Sequence, residues 1–217
     1  SSLKIEYRNE LMNAGIDFEE GKHSSEKILN ADEVMKSPGI PEKMEIMKLI
    51  REKGIQVISE MELAYRFKGE SKIIAITGSN GKTTTTAMTY HICHEAGLDC
   101  AMVGNIGDSF ARRIAEDPSA LYVVEVSSFQ LDDIITFRPD IAILTNITED
   151  HLDRYDYKFE NYIKSKFRIK KNKKATDHFI YCCDDEVTME YLNKFNIQSN
   201  QLPISMRTEL SKGAFIK

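Results

Sequence analysis

The sequence is poor in the features that mark membrane, secreted and nucleic-acid-binding proteins. No apolar run approaches the roughly 20 residues that a membrane helix needs, and residues 1–10 lack the apolar core of a signal peptide. Lysine and arginine number 29 against 34 aspartates and glutamates, which gives a net charge of −5. Because nucleic-acid binders are usually basic, we expect no nucleic-acid partner, and we expect no insertion into a membrane.

Cysteine is also scarce. The four cysteines stand at positions 93, 100, 182 and 183, and none forms the C-x-x-C pair of a zinc ribbon or a redox motif. We interpret Cys182 and Cys183, which lie in the apolar run 179–183, as buried thiols. Few cysteines without an export signal indicate a reducing cytoplasm.

What the sequence does contain is enough apolar material for a core and a regular alternation of strands and helices. Apolar residues make up 41% of the chain. From residue 72 onward, strands are predicted at 73–77, 100–103, 121–126, 141–145 and 179–183. Helices are predicted between them, from the segment 78–86 to about 96 and near 109–116, 159–172 and 186–194. This alternation predicts an α/β fold with an open, mostly parallel sheet flanked by helices.

The first 70 residues show a weaker pattern of short elements. Helices are predicted at 3–13, 41–54 and 60–67, and strands at 32–36 and 56–59. Pro41 is assigned to the first position of its helix, where its missing N–H is harmless. The polar, turn-like segment 67–71 predicts a domain boundary, which divides the chain into domains of residues 1–70 and 71–217.

The strongest local signal is a phosphate-binding loop between a predicted strand and a predicted helix. It reads Thr77-Gly78-Ser79-Asn80-Gly81-Lys82-Thr83-Thr84. Glycines let backbone N–H groups turn toward phosphate oxygens, and a helix N-terminus adds roughly half a positive charge. In such a loop Lys82 reaches the β- and γ-phosphates of a nucleotide, and the hydroxyl of Thr83 binds Mg²⁺. The spacing is the short G-x-x-G-K-T form, because Ile76 occupies the place of the first glycine in the longer motif.

Polar residues downstream follow other predicted strands. Glu125 ends the apolar run 121–124 at the carboxyl edge of the sheet, and the neighbouring phosphate loop favours a Mg²⁺ ligand over a solvated side chain. Residues 148–153 are compatible with a charged loop or with a metal or phosphate site around His151. Residues 164–174 carry lysine or arginine at seven of eleven positions, which we interpret as a solvated helix face.

Four stretches together resemble the Mur ligase family, which includes the folylpolyglutamate synthases. They are residues 78–84, Gly104-Asn105-Ile106-Gly107, residues 125–131 (Glu-Val-Ser-Ser-Phe-Gln-Leu) and residues 146–155 (Asn-Ile-Thr-Glu-Asp-His-Leu-Asp-Arg-Tyr). The resemblance covers most of residues 30–185. The stretch 127–130 is the most discriminating, because sister ligases differ after the glutamate, and it resembles the members that use D-glutamate.

The resemblance implies an ATP-dependent amide-bond ligase of peptidoglycan precursor synthesis. ATP would phosphorylate the L-alanine carboxylate of UDP-N-acetylmuramoyl-L-alanine, and the amine of D-glutamate would then displace the phosphate. The implied cofactors are ATP and Mg²⁺, and we expect a monomer. The implied fold is a P-loop-type central domain at 71–217, left incomplete, and part of a Rossmann-like, UDP-substrate-binding domain at 1–70.

The resemblance also assigns roles to single residues. The catalytic residues would be Lys82, His151 and Lys166. The ATP-binding residues would be Gly78, Ser79, Asn80, Gly81, Lys82, Thr83 and Thr84. The residues that contact the UDP-muropeptide would be Ser37, Pro38, Gly39, Asn105, Ser127 and His151. The Mg²⁺ ligands would be Thr83, Glu125, His151 and Lys166.

The assignment of Lys166 depends on a lysine that the family carries in carbamylated form, on the helix after the histidine loop. Residues 162–169 align so that Lys166 takes this position, while Lys164 would point elsewhere on the helix. A carbamate offers anionic oxygens that suit Mg²⁺. Its formation needs a neutral amine, so the lysine pKa must lie well below its free value of about 10.4.

The sequence also departs from the whole family pattern, which has three domains. The opening strand and glycine-rich loop of the first domain and the C-terminal, D-glutamate-binding domain have no counterpart among the 217 residues. We therefore expect a fragment that is inactive alone. Two alternatives stay open: another Mur or folylpolyglutamate ligase, which residues 127–130 disfavour, and a non-catalytic nucleotide-binding module.

Overall fold

A computed structural model describes residues 3–194 and 199–216. The chain divides into two compact units. The smaller unit contains the residues up to Val34 and Ile40–Val57, and the larger unit contains Met35–Gly39 and the residues from Ile58 onward. Within the described residues, no helix has the length and apolar content needed to cross a membrane.

The smaller unit is built from short elements. In chain order they are α1 (Ile5–Asn13), α2 (Ser25–Leu29), β1 (Glu33–Met35), α3 (Glu45–Glu52) and β2 (Gln56–Ile58), with β1 and β2 paired. The last residue of each strand, Met35 and Ile58, is assigned to the larger unit. Its small core contains Met47, Ile50 and Val57. The prediction that Pro41 opens α3 is wrong: residues 41–44 form a turn, and the extended backbone of Met44 starts the helix at Glu45.

The larger unit contains a seven-stranded sheet. Its elements are α4 (Glu60–Phe67), β3 (Lys72–Thr77), α5 (Lys82–Glu95), β4 (Cys100–Gly104), α6 (Phe110–Glu116), β5 (Leu121–Glu125), α7 (Ser128–Asp132), β6 (Ile141–Leu144), α8 (Phe159–Phe167), β7 (His178–Cys182), α9 (Glu186–Leu192), β8 (Asn200–Ser205) and β9 (Ala214–Phe215). The strand order is β4-β5-β3-β6-β7-β8-β9, and the pairs in this sheet are parallel. The predicted α/β fold with a parallel sheet is confirmed.

The central strand β3 determines where polar side chains collect. It lies between β5 and β6, with Ile76 opposite Glu125 and Thr77 opposite Leu144. The chain leaves β3 toward one side of the sheet and returns for β6 on the other side, which makes the carboxyl end of β3 a topological switch point. Ligands of open α/β sheets bind at such points.

Helix α4 packs with the larger unit. Met61 and Ala64 are buried in the same apolar cluster as Ile73. The buried carboxylate of Glu62 accepts hydrogen bonds from the backbone N–H groups of residues 135–137 at 2.8–3.0 Å. The compact units therefore divide near residue 57, which differs from the predicted boundary at residue 70, because α4 buries its apolar face against the sheet domain.

Three further predictions need correction. The predicted helix 159–172 ends at Phe167 and continues as a 3-10 turn over Arg168–Lys170. Cys182 and Cys183 are only partly buried, although both thiols are free as expected. The basic run 164–174 is not uniformly solvated, because Lys166 and Lys173 are buried with 2% and 7% of their surface exposed.

Candidate active site

The phosphate loop requires glycine at two positions, for a different structural reason at each. Gly78 has a φ of +148°, and a Cβ atom there would lie 1.9 Å from the Thr145 hydroxyl oxygen. Gly81 has a φ of +78° and caps the N-terminus of α5, in a left-handed conformation that other residues adopt at a cost. The first N–H groups of an α-helix have no partner within the helix, so an anion at the start of α5 can accept hydrogen bonds from them.

The loop is fastened to the segment that follows β6. The N–H of Ser79 donates to the carbonyl oxygen of Asn146 at 2.9 Å. The Ser79 hydroxyl donates to the Thr148 carbonyl at 2.9 Å and lies 3.0 Å from the Tyr162 hydroxyl. The Asn80 amide donates to the Thr148 hydroxyl at 3.1 Å. Ser79 and Asn80, both predicted to bind ATP, thus use their side chains to fix the shape of the loop.

Thr83 and Glu125 lie together at the edge of the sheet. The Thr83 hydroxyl donates to Glu125 Oε2 at 2.8 Å, and the amide of Asn105 donates to Glu125 Oε1 at 2.7 Å. Glu125 is buried, with 2% of its surface exposed. Three residues predicted separately, from three sequence stretches, therefore form one hydrogen-bonded group.

Lys166 and Lys164 occupy opposite environments on α8. Lys166 is 2% exposed, and its Nζ donates to the carbonyl oxygen of Gly78 at 2.8 Å. Burial disfavours its ammonium form and, with the nearby charge of Lys82, lowers the pKa of Lys166 to about 7, although surrounding carboxylates oppose the shift. Lys164 is exposed and forms an ion pair with Glu160 at 2.8 Å. Of these two lysines, Lys166 is the one that is buried beside the phosphate loop.

His151 is presented by an unusual backbone conformation. Its φ of +50° places it in the left-handed region, and it begins a 3-10 turn over Leu152–Arg154. The imidazole ring lies 5.2 Å from the ring of Phe129, and its Nε2 is 3.5 Å from Asp150 Oδ2. Residues other than glycine adopt this conformation at a cost in free energy, and residues strained in this way cluster at functional sites.

The discriminating stretch 127–130 forms a capping box at the start of α7. The Ser127 hydroxyl accepts from the N–H of Gln130, and the Gln130 side chain accepts from the N–H of Ser127 at 2.9 Å. This arrangement fixes the first turn of α7. It places both Ser127 and the intervening Phe129 at the wall of a cavity.

The cavity has a volume of about 280 Å³ and collects most of the predicted catalytic and substrate-binding residues. Its lining consists of Pro38, Gly39, Lys82, Asn105, Ser127, Ser128, Phe129, Asp150, His151, Arg154, Tyr162 and Lys166. Ser37, predicted with its two neighbours, is exposed and is not part of this lining. Ser128, Phe129, Asp150, Arg154 and Tyr162 were not assigned from the sequence, although the first four stand inside the stretches that carry the resemblance.

Tyr155 and Asp132 support the Phe129 ring in the wall of the cavity. The Tyr155 hydroxyl donates to Asp132 Oδ2 at 2.9 Å, and its ring stacks on Phe129 with centroids 5.8 Å apart and an interplanar angle of 10°. Burial raises the pKa of Asp132 and also, with the charge of Asp132, that of Tyr155. The phenol therefore keeps its proton and remains a donor.

Comparison with known proteins identifies the family. The model of the Mur ligase middle domain matches residues 76–213. The chain belongs to the Mur ligase family. The UDP-N-acetylmuramoylalanine–D-glutamate ligase of Cytophaga hutchinsonii is 54% identical over 207 residues, which cover 95% of this chain and 46% of that protein. The ligase of the same name from Bacteroides fragilis is 48% identical over 217 residues, covering 100% and 49%. This Mur ligase chain thus spans about half the length of the curated relatives it matches.

Solved structures of other Mur ligases share the fold. The UDP-N-acetylmuramate:L-alanyl-gamma-D-glutamyl-meso-diaminopimelate ligase from Neisseria meningitides superposes with a TM-score of 0.62 at 18% identity, over 98% of this chain and 72% of that one. The MurF ligase from Thermotoga maritima, solved in complex with ADP, gives a TM-score of 0.54 at 18% identity, over 83% and 52%. At such identity the likeness shows the α/β architecture alone.

The side chains of this Mur ligase chain fit a metal ion whose remaining ligands are water molecules or phosphate oxygens. Among residues 3–194 and 199–216, no three His, Cys, Asp or Glu side chains converge as a metal site. Mg²⁺ needs fewer protein ligands, because it keeps several waters and shares phosphate oxygens. The Thr83 hydroxyl and the Glu125 carboxylate, 2.8 Å apart beside the phosphate loop, supply oxygen ligands of that kind.

Proposed function

We propose that this chain forms the nucleotide-binding and carboxylate-activating part of an ATP-dependent ligase. The reaction joins D-glutamate to UDP-N-acetylmuramoyl-L-alanine in peptidoglycan precursor synthesis. The observation that carries the proposal is one cavity lined by Lys82 of the phosphate loop, His151 and the buried Lys166. The names of relatives that are 45–54% identical support D-glutamate as the amino acid.

Residues 78–84 bind the ATP phosphates in this proposal. The N-terminus of α5 and the Lys82 ammonium supply the positive charge, and this charge matters most when negative charge moves between the transferring phosphoryl group and its leaving group. Lys82 Nζ now donates to the Ser79 carbonyl at 2.8 Å, so binding exchanges that weaker partner for a phosphate oxygen. Mg²⁺, when bound, neutralises phosphate charge; Thr83 and Glu125 would hold one ion, and His151 with Lys166 a second.

Lys166 acts as a metal ligand only after carbamylation. Its neutral amine attacks CO₂, a nitrogen–carbon bond forms, and one proton leaves to solvent. The buried position of Lys166 favours the neutral amine that this step requires. The resulting carbamate is anionic, and its oxygens would be suitable Mg²⁺ ligands beside Lys82 and His151.

In this proposal the UDP-muropeptide binds in the cavity, against the part of its wall that residues outside the phosphate loop form. Pro38, Gly39, Asn105 and Ser127 line the cavity and contact the substrate, while Ser37 belongs to the same segment outside the lining. The acceptor carboxylate then faces the γ-phosphate, and transfer gives an acyl phosphate and ADP. The D-glutamate amine displaces inorganic phosphate and leaves an amide. We further propose that residues 1–70 contribute to a UDP-substrate-binding domain, although residues 35–39 and 58–70 pack within the larger unit. We also propose that the enzyme works in the reducing cytoplasm, which its free thiols suit.

The deciding experiment measures phosphate release by the full-length protein. Release should require ATP, UDP-N-acetylmuramoyl-L-alanine and D-glutamate together, and omission of any one should abolish it. Dependence on another amino acid would indicate a different Mur or folylpolyglutamate ligase. Nucleotide binding without any release would indicate a non-catalytic module, and either result would refute the proposal. The 217 residues expressed alone should release no phosphate in a D-glutamate-dependent manner.

A further inference from the structure

Arg154 makes contacts to two separate parts of the cavity wall. Its guanidinium carbon lies 4.5 Å from the centroid of the Phe129 ring. One guanidinium nitrogen, Nη2, donates a hydrogen bond to the carbonyl oxygen of Pro38 at 3.0 Å. Arg154, Phe129 and Pro38 all line the cavity. A single side chain therefore connects the capping-box helix α7 with the segment 35–39.

The Phe129 ring is a fixed support for this guanidinium. It stacks on Tyr155 with an interplanar angle of 10°, and it contacts the ring of His151 at 5.2 Å. Tyr155 in turn is hydrogen-bonded to the buried Asp132. A planar guanidinium can stack on an aromatic ring and donate hydrogen bonds in its own plane at the same time, and lysine has no planar group with which to stack.

The segment 35–39 is held at a second point. Lys36 forms an ion pair with Asp133 at 2.9 Å, with 6% and 3% of the two side chains exposed. The N–H of Lys36 also donates to the carbonyl oxygen of Ile58 at 2.9 Å. These contacts fix Lys36, which precedes the residues that line the cavity. The hydrogen bond from Arg154 fixes the lining part of the segment, at Pro38.

We propose that Arg154 is a positioning residue that holds the Pro38–Gly39 wall in place for the UDP-muropeptide. This inference rests on the proposed function, which places the muropeptide against that wall. The phosphate loop is fixed by different contacts, from Ser79 and Asn80 to the segment after β6. Loss of the Arg154 contacts therefore weakens muropeptide binding and leaves nucleotide binding intact.

The test compares Arg154→Lys with Arg168→Lys in the protein as its gene encodes it. Arg168 is a matched control, because its guanidinium also donates to backbone carbonyls, those of Leu131 and Ile134 at 2.6 and 2.9 Å, without lining the cavity. Calorimetric titration with UDP-N-acetylmuramoyl-L-alanine and with ADP gives both affinities, and thermal unfolding gives the stability of each variant.

Arg154→Lys should weaken muropeptide binding roughly 10-fold, about 1.4 kcal/mol, and leave the ADP affinity within about 2-fold. Arg168→Lys should lower the unfolding temperature and change neither affinity. Added methylguanidinium should partly restore muropeptide binding to Arg154→Ala.

An unchanged muropeptide affinity in Arg154→Lys would overturn the inference, as would equal weakening of both ligands, which indicates a general structural role. A wild-type protein that binds ADP but no muropeptide would instead refute the proposed function, and this inference with it. The two failures are thus distinguished by the wild-type titration.

Discussion

Lys166 donates a hydrogen bond from its Nζ to the carbonyl oxygen of Gly78 across 2.8 Å, which joins α8 to the first glycine of the phosphate loop. The two residues are 88 positions apart in the chain. A lysine that becomes a metal ligand must sit close to the phosphates that share the metal. This hydrogen bond shows that the side chain of Lys166 already reaches that region.

Replacement of Lys166 should cripple the enzyme, and replacement of Lys164 should not. Lys166→Ala removes the proposed anionic ligand, and we expect turnover to fall about 1,000-fold, or about 4 kcal/mol. Lys164→Ala should leave turnover close to that of the wild type, because its side chain is exposed and its ion pair with Glu160 is a surface pair. Steady-state kcat of both variants provides the measurement.

Each variant removes one lysine from the same helix, which makes the two variants controls for each other. Equal impairment would argue against a special role for Lys166, and a defect confined to Lys164→Ala would show that the alignment is two residues out of register. Formate or acetate should partly restore turnover to Lys166→Ala, because a small carboxylate can occupy the vacated space.

Lys82→Ala should lower ligation about 100-fold or more, which corresponds to about 2.7 kcal/mol of transition-state stabilisation. The change removes the cationic side chain of the loop 78–84. Phosphate release under saturating substrates is the readout, and Lys174→Ala, an exposed lysine outside the cavity, serves as the matched control. Near-normal turnover of Lys82→Ala would remove the loop from the mechanism.

The two loop glycines should differ in their tolerance of alanine. Gly81→Ala meets open space and should cost about 1–2 kcal/mol for its left-handed backbone. Gly78→Ala should cost more, because its Cβ would collide with the Thr145 hydroxyl 1.9 Å away. Thermal unfolding and ADP affinity of the two variants test this order. A Gly78→Ala variant as stable as wild type would contradict the tight contact with Thr145.

Glu62 should make the stability of the chain depend on pH. Burial alone would raise the pKa of Glu62, but hydrogen bonds from the Thr136 hydroxyl and from three backbone N–H groups outweigh it, so the pKa is lowered from its ordinary value of 4.5. The carboxylate therefore stabilises the folded state above pH 4.5, and this contribution is lost as the pH falls through the lower, folded-state value.

Glu62→Gln should therefore destabilise the chain by about 1–3 kcal/mol near neutral pH, since an amide cannot accept all these hydrogen bonds as a carboxylate does. Urea unfolding at about pH 7 and about pH 4 measures the effect, and the difference between variant and wild type should shrink at the lower pH. Glu116→Gln, on the surface of α6, is the control. A difference that grows toward low pH would have the wrong sign for this account.

The elements around the phosphate loop could be predicted because local patterns define them. The apolar run of β3, followed by glycines and Lys82, specifies a strand, a turn and a helix start within a few residues. Helix α4 was predicted with its observed bounds, Glu60–Phe67, and the side chain of Ser59 caps it by accepting from the N–H of Glu62. In these places propensity, capping and burial all favour the same structure.

Other elements could not be predicted from local patterns. Helix α7 has only five residues, too few to show a helical period, and in the sequence residues 127–130 stand out as a family motif and not as the capping box that they form. Strand β8 contains Pro203, which lacks a donor and argues against a strand, yet β8 pairs with β7 and with the two-residue edge strand β9. The contact from Arg154 to Pro38 spans 116 positions and depends on the whole topology.

The assignment of Met35–Gly39 to the larger unit has a practical consequence for dissecting this protein. The chain crosses from one unit to the other three times, after Val34, after Gly39 and after Val57. A shortened protein that starts at Ile58 would discard Lys36 and leave Asp133 buried without this ammonium, a loss that typically costs about 3–5 kcal/mol. It would also discard Pro38 and Gly39. Anyone who wishes to study the nucleotide-binding unit in isolation should therefore supply residues 35–39 along with it.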